Sequence, residues 1–227
     1  MLQKRIDEIK EKIERAGGKD VTLIAVTKTH PPEVINEAID CGVTDIGENK
    51  VQEILAKYGY VKPVRWHLIG HLQTNKVRQI IDKVCMIHSL DSLNLANEIE
   101  KRCANAGIVM DVLIQVNMAG EESKFGLAPS EAEAFADEAI KLPHLRLRGL
   151  MQIAPYSEDP EDVRIYFKEI KELFDKLKEK LGEDFNVLSM GMSNDFVQAV
   201  EEGATHVRVG TAIFGERDYS KKEGETE

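Results

Sequence analysis

The stretch "LIAVTKTHPPEV", residues 23–34, contains one complete strand-to-helix unit. Its apolar beginning, Leu23 to Val26, is typical of a buried strand. The breaker pair Pro31-Pro32 marks the turn into the helix that follows. Lys28 therefore lies at the end of a buried strand, although lysine is mostly exposed in proteins. The rest of the chain indicates what a lysine does at this position.

The same unit recurs along the chain. Predicted strands, each followed by a helix or the start of one, cover 21–26, 43–47, 64–69, 83–90, 109–117, 145–151, 185–190 and 205–210. Strict alternation of strands and helices favours parallel strands joined by right-handed crossovers. Eight units predict a single-domain α/β fold of the (β/α)8 or TIM-barrel type. An open doubly wound sheet is the main alternative, but it usually has fewer strands.

Length and composition limit the class of protein. The 227 residues suit one large domain or two small ones; we expect a barrel over 1–219 and a polar, disordered tail over 220–227. A net charge of −10 gives no general attraction to nucleic acid or to anionic membranes. The charged N-terminus is no signal peptide and no apolar run is long enough to span a bilayer. Three scattered cysteines predict reduced thiols in a cytoplasmic protein.

Two loops near the end of the chain have the composition of a phosphate site. In a (β/α)8 barrel the active site lies at the carboxyl ends of the strands, and the loops after strands seven and eight often bind phosphate. "SMGMSND" supplies Gly191 and Ser193, and "RVGTAIFG" supplies Gly210 and Thr211. Backbone N–H groups and hydroxyls would bind the anion. In the alternative interpretation, Ser193 and Thr211 only cap the helices that follow.

Lys28 predicts carbonyl chemistry at the same end of the barrel. Partial burial disfavours the charged form of an amine, and such lysines form Schiff bases with carbonyl compounds. A phosphate site facing this lysine suits a phosphorylated sugar, as in a class I aldolase, or pyridoxal 5′-phosphate (PLP). Arg208 favours PLP, because PLP-binding proteins place an acidic or basic side chain opposite the pyridine nitrogen. The alternative is that Lys28 is an ordinary surface or ion-paired lysine.

Five blocks carry a family resemblance that spans nearly the whole chain. They are "LIAVTKTHP", "DIGENKVQE", "WHLIGHLQTNK", "GLMQIAP" and "LSMGMSNDFVQAVEEGATHVRVGTAIFG". On these blocks the chain resembles the YggS/PROSC family of pyridoxal phosphate homeostasis proteins. The resemblance implies a barrel like the N-terminal domain of alanine racemase, with PLP held on Lys28 as a Schiff base.

The resemblance also implies the other cofactor-binding residues and the function. Besides Lys28 these residues are Asn49, Met192, Ser193, Arg208, Gly210 and Thr211. Arg208 would face the pyridine nitrogen; because arginine only donates, the ring stays unprotonated and is a weak electron sink. The implied function is PLP (vitamin B6) homeostasis with little or no catalysis, in a cytoplasmic monomer that supplies apo PLP-dependent enzymes. No catalytic residue is assigned.

Two alternatives remain open on the residues. One is a PLP-dependent amino-acid racemase of low activity, for which Tyr156, after strand six, is the tyrosine placed nearest the mouth. The other is a cofactor-free lyase acting on sugar phosphates. His67 and His71 are four residues apart, but they span a strand end, so we expect them to line the mouth and not to bind a metal. Lys76 and Lys124 also lie at the carboxyl ends of the strands. Each lysine either contacts the cofactor or is an ordinary exposed lysine.

Overall fold

Eight parallel strands close into a barrel in chain order, which confirms the predicted (β/α)8 fold. The computed structural model describes residues 1–121 and 123–215; the predicted disordered tail, 220–227, lies outside the described residues. The strands are β1 Thr22–Val26, β2 Asp45–Glu48, β3 Arg65–Leu68, β4 Met86–Leu90, β5 Met110–Gln115, β6 Leu145–Met151, β7 Val187–Ser189 and β8 His206–Val209. β1 pairs with β8, with Ile24 opposite Arg208, and this pairing excludes the open sheet.

Helices surround the barrel. They are α1 Leu2–Arg15, α2 Pro32–Asp40, α3 Val51–Lys57, α4 Leu93–Ala106, α5 Ala132–Ala139, α6 Arg164–Leu181, α7 Phe196–Glu201 and α8 Thr211–Phe214. A 3-10 helix, Thr74–Gln79, replaces the α-helix expected after β3. α1 precedes the barrel and buries Leu2, Ile6, Ile9 and Ile13, a spacing that places one apolar stripe against the core.

The barrel buries both apolar clusters and a set of polar side chains. The main apolar core, which includes Ile46, Leu68, Ile114 and Phe167, lies where the helices pack on the strands. A second, smaller apolar cluster consists of Met86, Leu113, Met151 and Val187 from β4 to β7. Buried polar side chains from β2, β3, β4, β7 and β8 also contact one another. Such contacts are possible only inside the barrel, because these strands lie on different sides of it.

Two further features of the described residues concern helix length and the cysteines. None of the helices among them is long and apolar enough to cross a membrane. Cys41, Cys85 and Cys103 are free cysteines, the first two half-buried and the third buried.

Candidate cofactor-binding site

A cleft of about 640 Å³ opens at the carboxyl ends of β1, β7 and β8. Its lining consists of Val26, Lys28, Tyr156, Met192, Ser193, Asn194, Arg208, Gly210, Thr211 and Ala212. Six of the seven predicted cofactor-binding residues therefore share one cleft, and Asn49 is the exception. The volume lies in the range of about 300–1,000 Å³ that is usual for small-molecule sites.

Lys28 lies in the turn after β1, half-buried at the edge of this cleft. Two hydrogen bonds from outside the turn hold its neighbours. The Lys57 amine donates to the Thr27 carbonyl at 3.0 Å, and the Thr29 N–H donates to the Glu53 carboxylate at 2.6 Å. Thr29 has a φ of +70°, an uncommon value for a residue with a side chain. The turn that carries Lys28 is therefore held in a specific conformation by α3.

Lys57 is the centre of a buried ionic cluster that the sequence did not reveal. Its amine contacts Glu48 at 2.7 Å and Glu53 at 2.8 Å, and Thr27 donates its hydroxyl to Glu48. Burial raises the pKa of Glu48, although Lys57 partly offsets the effect. Burial acts the same way on Glu53, but the Lys57 and Thr29 hydrogen bonds outweigh it and lower the pKa of that carboxyl. From the sequence alone, Glu53 and Lys57 look like residues on the exposed polar face of a helix.

Arg208 lies at the bottom of the cleft and is 3% exposed. Its Nη1 donates to Ser189 Oγ at 2.6 Å, and its Nη2 donates to the Gln152 carbonyl at 2.7 Å. Burial lowers the pKa of the guanidinium to about 10, and the nearby Asp195 opposes the effect. The guanidinium is therefore charged at neutral pH. Ser189 is the last residue of β7, and Gln152 directly follows β6. Nothing in the sequence spacing identified either residue as a partner of Arg208.

The loops after β7 and β8 meet at Ser193. Its hydroxyl oxygen accepts from the Gly210 N–H at 3.1 Å and from the Ala212 N–H at 3.3 Å. A Cβ at Gly210 would lie 3.3 Å from Val26 Cβ, so a side chain there would crowd β1. Thr211 is exposed at the start of α8. Two backbone donors and two hydroxyls thus converge at one end of the cleft, a donor set that suits an anion.

Asn49 lies beside the cleft and not in it. It lines two neighbouring pockets of about 260 Å³ and 470 Å³. Its buried Oδ1 has no hydrogen-bond partner among the described residues. Lys124 lines the smaller pocket, where it pairs with Glu121 at 2.6 Å, and Lys76 lines the larger one.

The two histidines of "WHLIGH" lie in different environments. His71 is exposed near the mouth, as expected, and stacks on Phe125 with ring centroids 3.8 Å apart. The expectation for His67 was wrong, because its ring is fully buried inside the barrel against Asp45 and His88. The reason is the strand period of two, which turns His67 inward.

The barrel and its cleft together define a class of protein. An amine, a buried guanidinium and a set of convergent N–H and hydroxyl donors surround one cavity at the carboxyl ends of the strands. This combination places the molecule among (β/α)8 proteins, and its donor groups suit a phosphorylated carbonyl compound.

Comparison with known proteins gives the family. Residues 1–218 match the family described as alanine racemase, N-terminal domain, and the chain belongs to it. The pyridoxal phosphate homeostasis protein of Aquifex aeolicus is 49% identical, covering 96% of this chain and 97% of that protein. The protein of the same name from Helicobacter pylori is 40% identical, with 94% and 98% covered. The resemblance to the homeostasis proteins is confirmed.

A solved structure agrees with these relatives over the whole barrel. PipY of Synechococcus elongatus, determined with PLP bound, superimposes with a TM-score of 0.86 at 33% identity. The match covers 95% of this chain and 100% of the PipY chain. The barrel observed here is thus the fold of a protein solved with this cofactor.

Proposed function

We propose that this protein binds PLP in the cleft at the carboxyl ends of β1, β7 and β8 and supports PLP homeostasis. The observation that carries the proposal is the presence of Lys28, Arg208 and the Ser193 donor set around one cavity. The printed names of the relatives and the PLP-bound PipY structure support it.

Each part of the cleft has a partner on the cofactor. PLP supplies an aldehyde for the Lys28 amine, a pyridine nitrogen that accepts a hydrogen bond, and a phosphate. Arg208 donates to the ring nitrogen, since a guanidinium has only donors. Ser193, Gly210 and Thr211 would bind the phosphate, and the Gly210 N–H, which donates to Ser193 Oγ here, would exchange that acceptor for a phosphate oxygen. Met192, and Asn49 from the neighbouring pocket, border the cofactor.

The cleft suits storage and release of PLP more than turnover. A charged arginine leaves the pyridine nitrogen unprotonated, which weakens the ring as an electron sink. Tyr156 and Met192 at its rim are 85% and 38% exposed, so water and other proteins can reach the cofactor. We propose that the protein acts in the cytoplasm as a monomer and supplies apo PLP-dependent enzymes. Its free cysteines and strong acidity are consistent with that setting.

An amino-acid racemase is the second candidate, because Tyr156 lines the same cleft as Lys28. Racemisation needs two acid–base groups on opposite faces of the substrate carbon. Incubation of the PLP-loaded protein with L-alanine, followed by chiral chromatography, separates the candidates. Storage predicts no D-alanine above the level made by free PLP, whereas a racemase predicts turnover that Tyr156→Phe abolishes.

Lys28→Ala tests the cofactor site. The wild-type protein mixed with PLP should develop a visible absorbance band that borohydride abolishes, and mass spectrometry should find the reduced adduct on the Lys28 peptide. Lys28→Ala should lose both signals. Lys19→Ala, an exposed lysine at the other end of the barrel, is the matched control and should keep them. A wild-type protein that takes up no PLP, or an adduct on another lysine, would contradict the proposal.

A further inference from the structure

A continuous chain of hydrogen bonds runs through the barrel from Arg208 to its opposite end. Arg208 Nη1 lies 2.6 Å from Ser189 Oγ, which lies 3.0 Å from His88 Nδ1. The other nitrogen of His88, Nε2, lies 2.9 Å from His67 Nδ1. His67 Nε2 then lies 2.8 Å from Asp45 Oδ1. We call Arg208, Ser189, His88, His67 and Asp45 the barrel relay.

The chemistry of the two ends sets the direction of every bond in the relay. Arginine can only donate, and an ionised carboxylate can only accept. Burial opposes the charge of Asp45, but hydrogen bonds from His67 and Thr44 outweigh it and hold the pKa of that carboxyl below its ordinary value. Ser189 therefore accepts a hydrogen bond from Arg208 and donates its hydroxyl hydrogen to His88 Nδ1. With both imidazoles neutral, His88 and His67 each carry the proton on Nε2 and accept at Nδ1.

The relay is buried, so bulk solvent does not replace a broken bond. His67, His88 and Ser189 are completely buried, and Asp45 and Arg208 are 4% and 3% exposed. A buried polar group that loses its partner keeps the full cost of desolvation. Arg208 has a second acceptor in the Gln152 carbonyl, and the two acceptors together fix the plane of the guanidinium. The relay therefore determines where the remaining N–H groups of Arg208 point.

We propose that Ser189, His88 and His67 are positioning residues that hold Arg208 against the ring of the bound cofactor and transmit the protonation state of His67 to it. The inference rests on the proposed function, because it assumes that PLP occupies the cleft. None of the three residues lines the cleft, so each acts through Arg208.

Protonation of His67 changes the direction of half of the relay. A second proton on His67 sits on Nδ1 and must be donated to His88 Nε2. The relay gains one proton in all: the hydrogen that His88 held on Nε2 moves to His67 Nδ1, and the added proton sits on His88 Nδ1. His88 donates it to Ser189, which then accepts from both sides. The Ser189 hydroxyl hydrogen has to turn away from His88. Ser189 accepts from Arg208 in both states of His67, but the direction of its hydroxyl hydrogen differs between them, and no heavy atom needs to move far.

The groups around His67 decide whether it titrates. Those that face it are Asp45 from β2, His88 from β4, His206 from β8 and Cys85 before β4, with Arg65 behind Asp45. Burial disfavours its charge, but the hydrogen bonds to Asp45 and Cys85 outweigh burial and raise the pKa of His67. His88 is faced by His67, His206 and Arg208, and burial holds its pKa well below the ordinary value. Within the relay, His67 is therefore the histidine that gains a proton first.

Two substitutions at one position test the relay in the PLP-loaded, full-length protein. His88→Gln keeps one donor and one acceptor, whereas His88→Leu removes both. We expect His88→Leu to weaken PLP binding about tenfold or more, as loss of a supporting partner does in metal sites. It should also abolish any dependence of the cofactor absorbance on the titration of His67, whose pKa is raised above the ordinary value of about 6.5. His88→Gln should restore affinity to within about threefold of wild type. Equal affinity and an equal pH profile in both variants would overturn the inference.

The wild-type protein without cofactor provides a measurement that needs no variant. Nitrogen-15 NMR of its histidines should show His67 and His88 as Nε2–H forms at high pH. As His67 takes up its second proton, His88 should switch to the Nδ1–H form at the same pH. A His88 form that does not follow His67 would overturn the relay. Failure of the wild-type protein to bind PLP would instead remove the proposed function and leave this NMR result intact.

Discussion

Gly191 shows how one residue without a side chain shapes the phosphate end of the cleft. Its φ is +88°, a region that L-residues with a Cβ rarely adopt. A Cβ at this position would lie 2.5 Å from Ala199 Cβ and 3.0 Å from Phe196 Cα. The loop after β7 can therefore approach α7 only because residue 191 is glycine. Ser193, two residues later, depends on that approach for its place beside Gly210.

Gly191→Ala should destabilise the fold and weaken PLP binding. Gly17→Ala is the matched control, because Gly17 also has a positive φ, +91°, but no atom within 4 Å of the added Cβ. The control should show only the backbone strain, about 1–2 kcal/mol. Overpacking against Ala199 should add about 1–3 kcal/mol at Gly191. Urea unfolding of both variants measures the difference, and equal losses would contradict the close approach.

At the scale of elements, α3 fixes the turn that presents Lys28. The helix follows β2, yet its last residue, Lys57, contacts the chain after β1. Its amine donates hydrogen bonds to the Thr27 carbonyl and to the Glu48 and Glu53 carboxylates. Lys57 and Glu48 are almost completely buried, with side chains 9% and 0% exposed. A buried pair that loses one partner leaves the other charge uncompensated. The geometry of Lys28 therefore depends on a helix that does not contain it.

Lys57→Met should lower the free energy of unfolding by about 3–5 kcal/mol at neutral pH. The deficit should shrink in acid for two reasons. The folded-state pKa of Glu48 is raised. As the pH falls through that value Glu48 becomes protonated and neutral, so it no longer needs the charge of Lys57. The folded-state pKa of Glu53 is lowered. The stability that Glu53 gains from Lys57 is therefore complete above the unfolded value of about 4.5 and is lost as the pH falls through the folded-state pKa.

Denaturant unfolding between pH 4 and 8 measures this dependence. Lys62→Met is the matched control, since Lys62 forms an exposed pair with Asp40, with side chains 49% and 61% exposed. Its loss should stay below about 1 kcal/mol at every pH. A Lys57→Met deficit that is constant with pH would mean that the carboxylates do not depend on Lys57.

At the scale of the whole molecule, the barrel interior makes stability depend on pH. His206 lies on β8 inside the barrel, with its ring 6.3 Å from that of His67 and 6.4 Å from that of His88. Burial, and then the charge of His67, lowers the pKa of His206 to about 4. A base with a lowered folded-state pKa gains protons on unfolding. Its stabilising contribution is complete above the unfolded value of about 6.5 and is lost as the pH falls toward 4.

His206→Gln should flatten this dependence, because glutamine does not titrate. Between pH 7 and pH 5 the wild-type protein should lose roughly 2 kcal/mol more unfolding free energy than the variant. Chemical denaturation at the two pH values, followed by fluorescence of the single tryptophan, Trp66, gives both numbers. Parallel losses in the two proteins would show that His206 is neutral or charged alike in both states. Groups that do not interact with His206 are common to both proteins and cancel.

The sequence alone determined the elements of this protein and the place of most of its candidate site. Apolar runs and helical spacing predicted all eight strands, with only the ends shifted; the predicted strand 83–90 begins at Met86 in the structure. Parallel strands bring their carboxyl ends together, so Lys28, Ser193 and Arg208 could be assigned to one mouth from their order along the chain. These inferences need only local periodicity and one topological rule.

Only the tertiary structure decided which polar side chains meet. His88 and Ser189 bond across the barrel at a separation of 101 residues, and Lys57 reaches back to Thr27 over 30. Periodicity tells which face of a strand a residue occupies, but it carries no information about the partner on a distant strand. For the same reason the partners of His67 and the displacement of Asn49 from the cleft could not be predicted. The barrel relay exists because closure brings five strands around one interior.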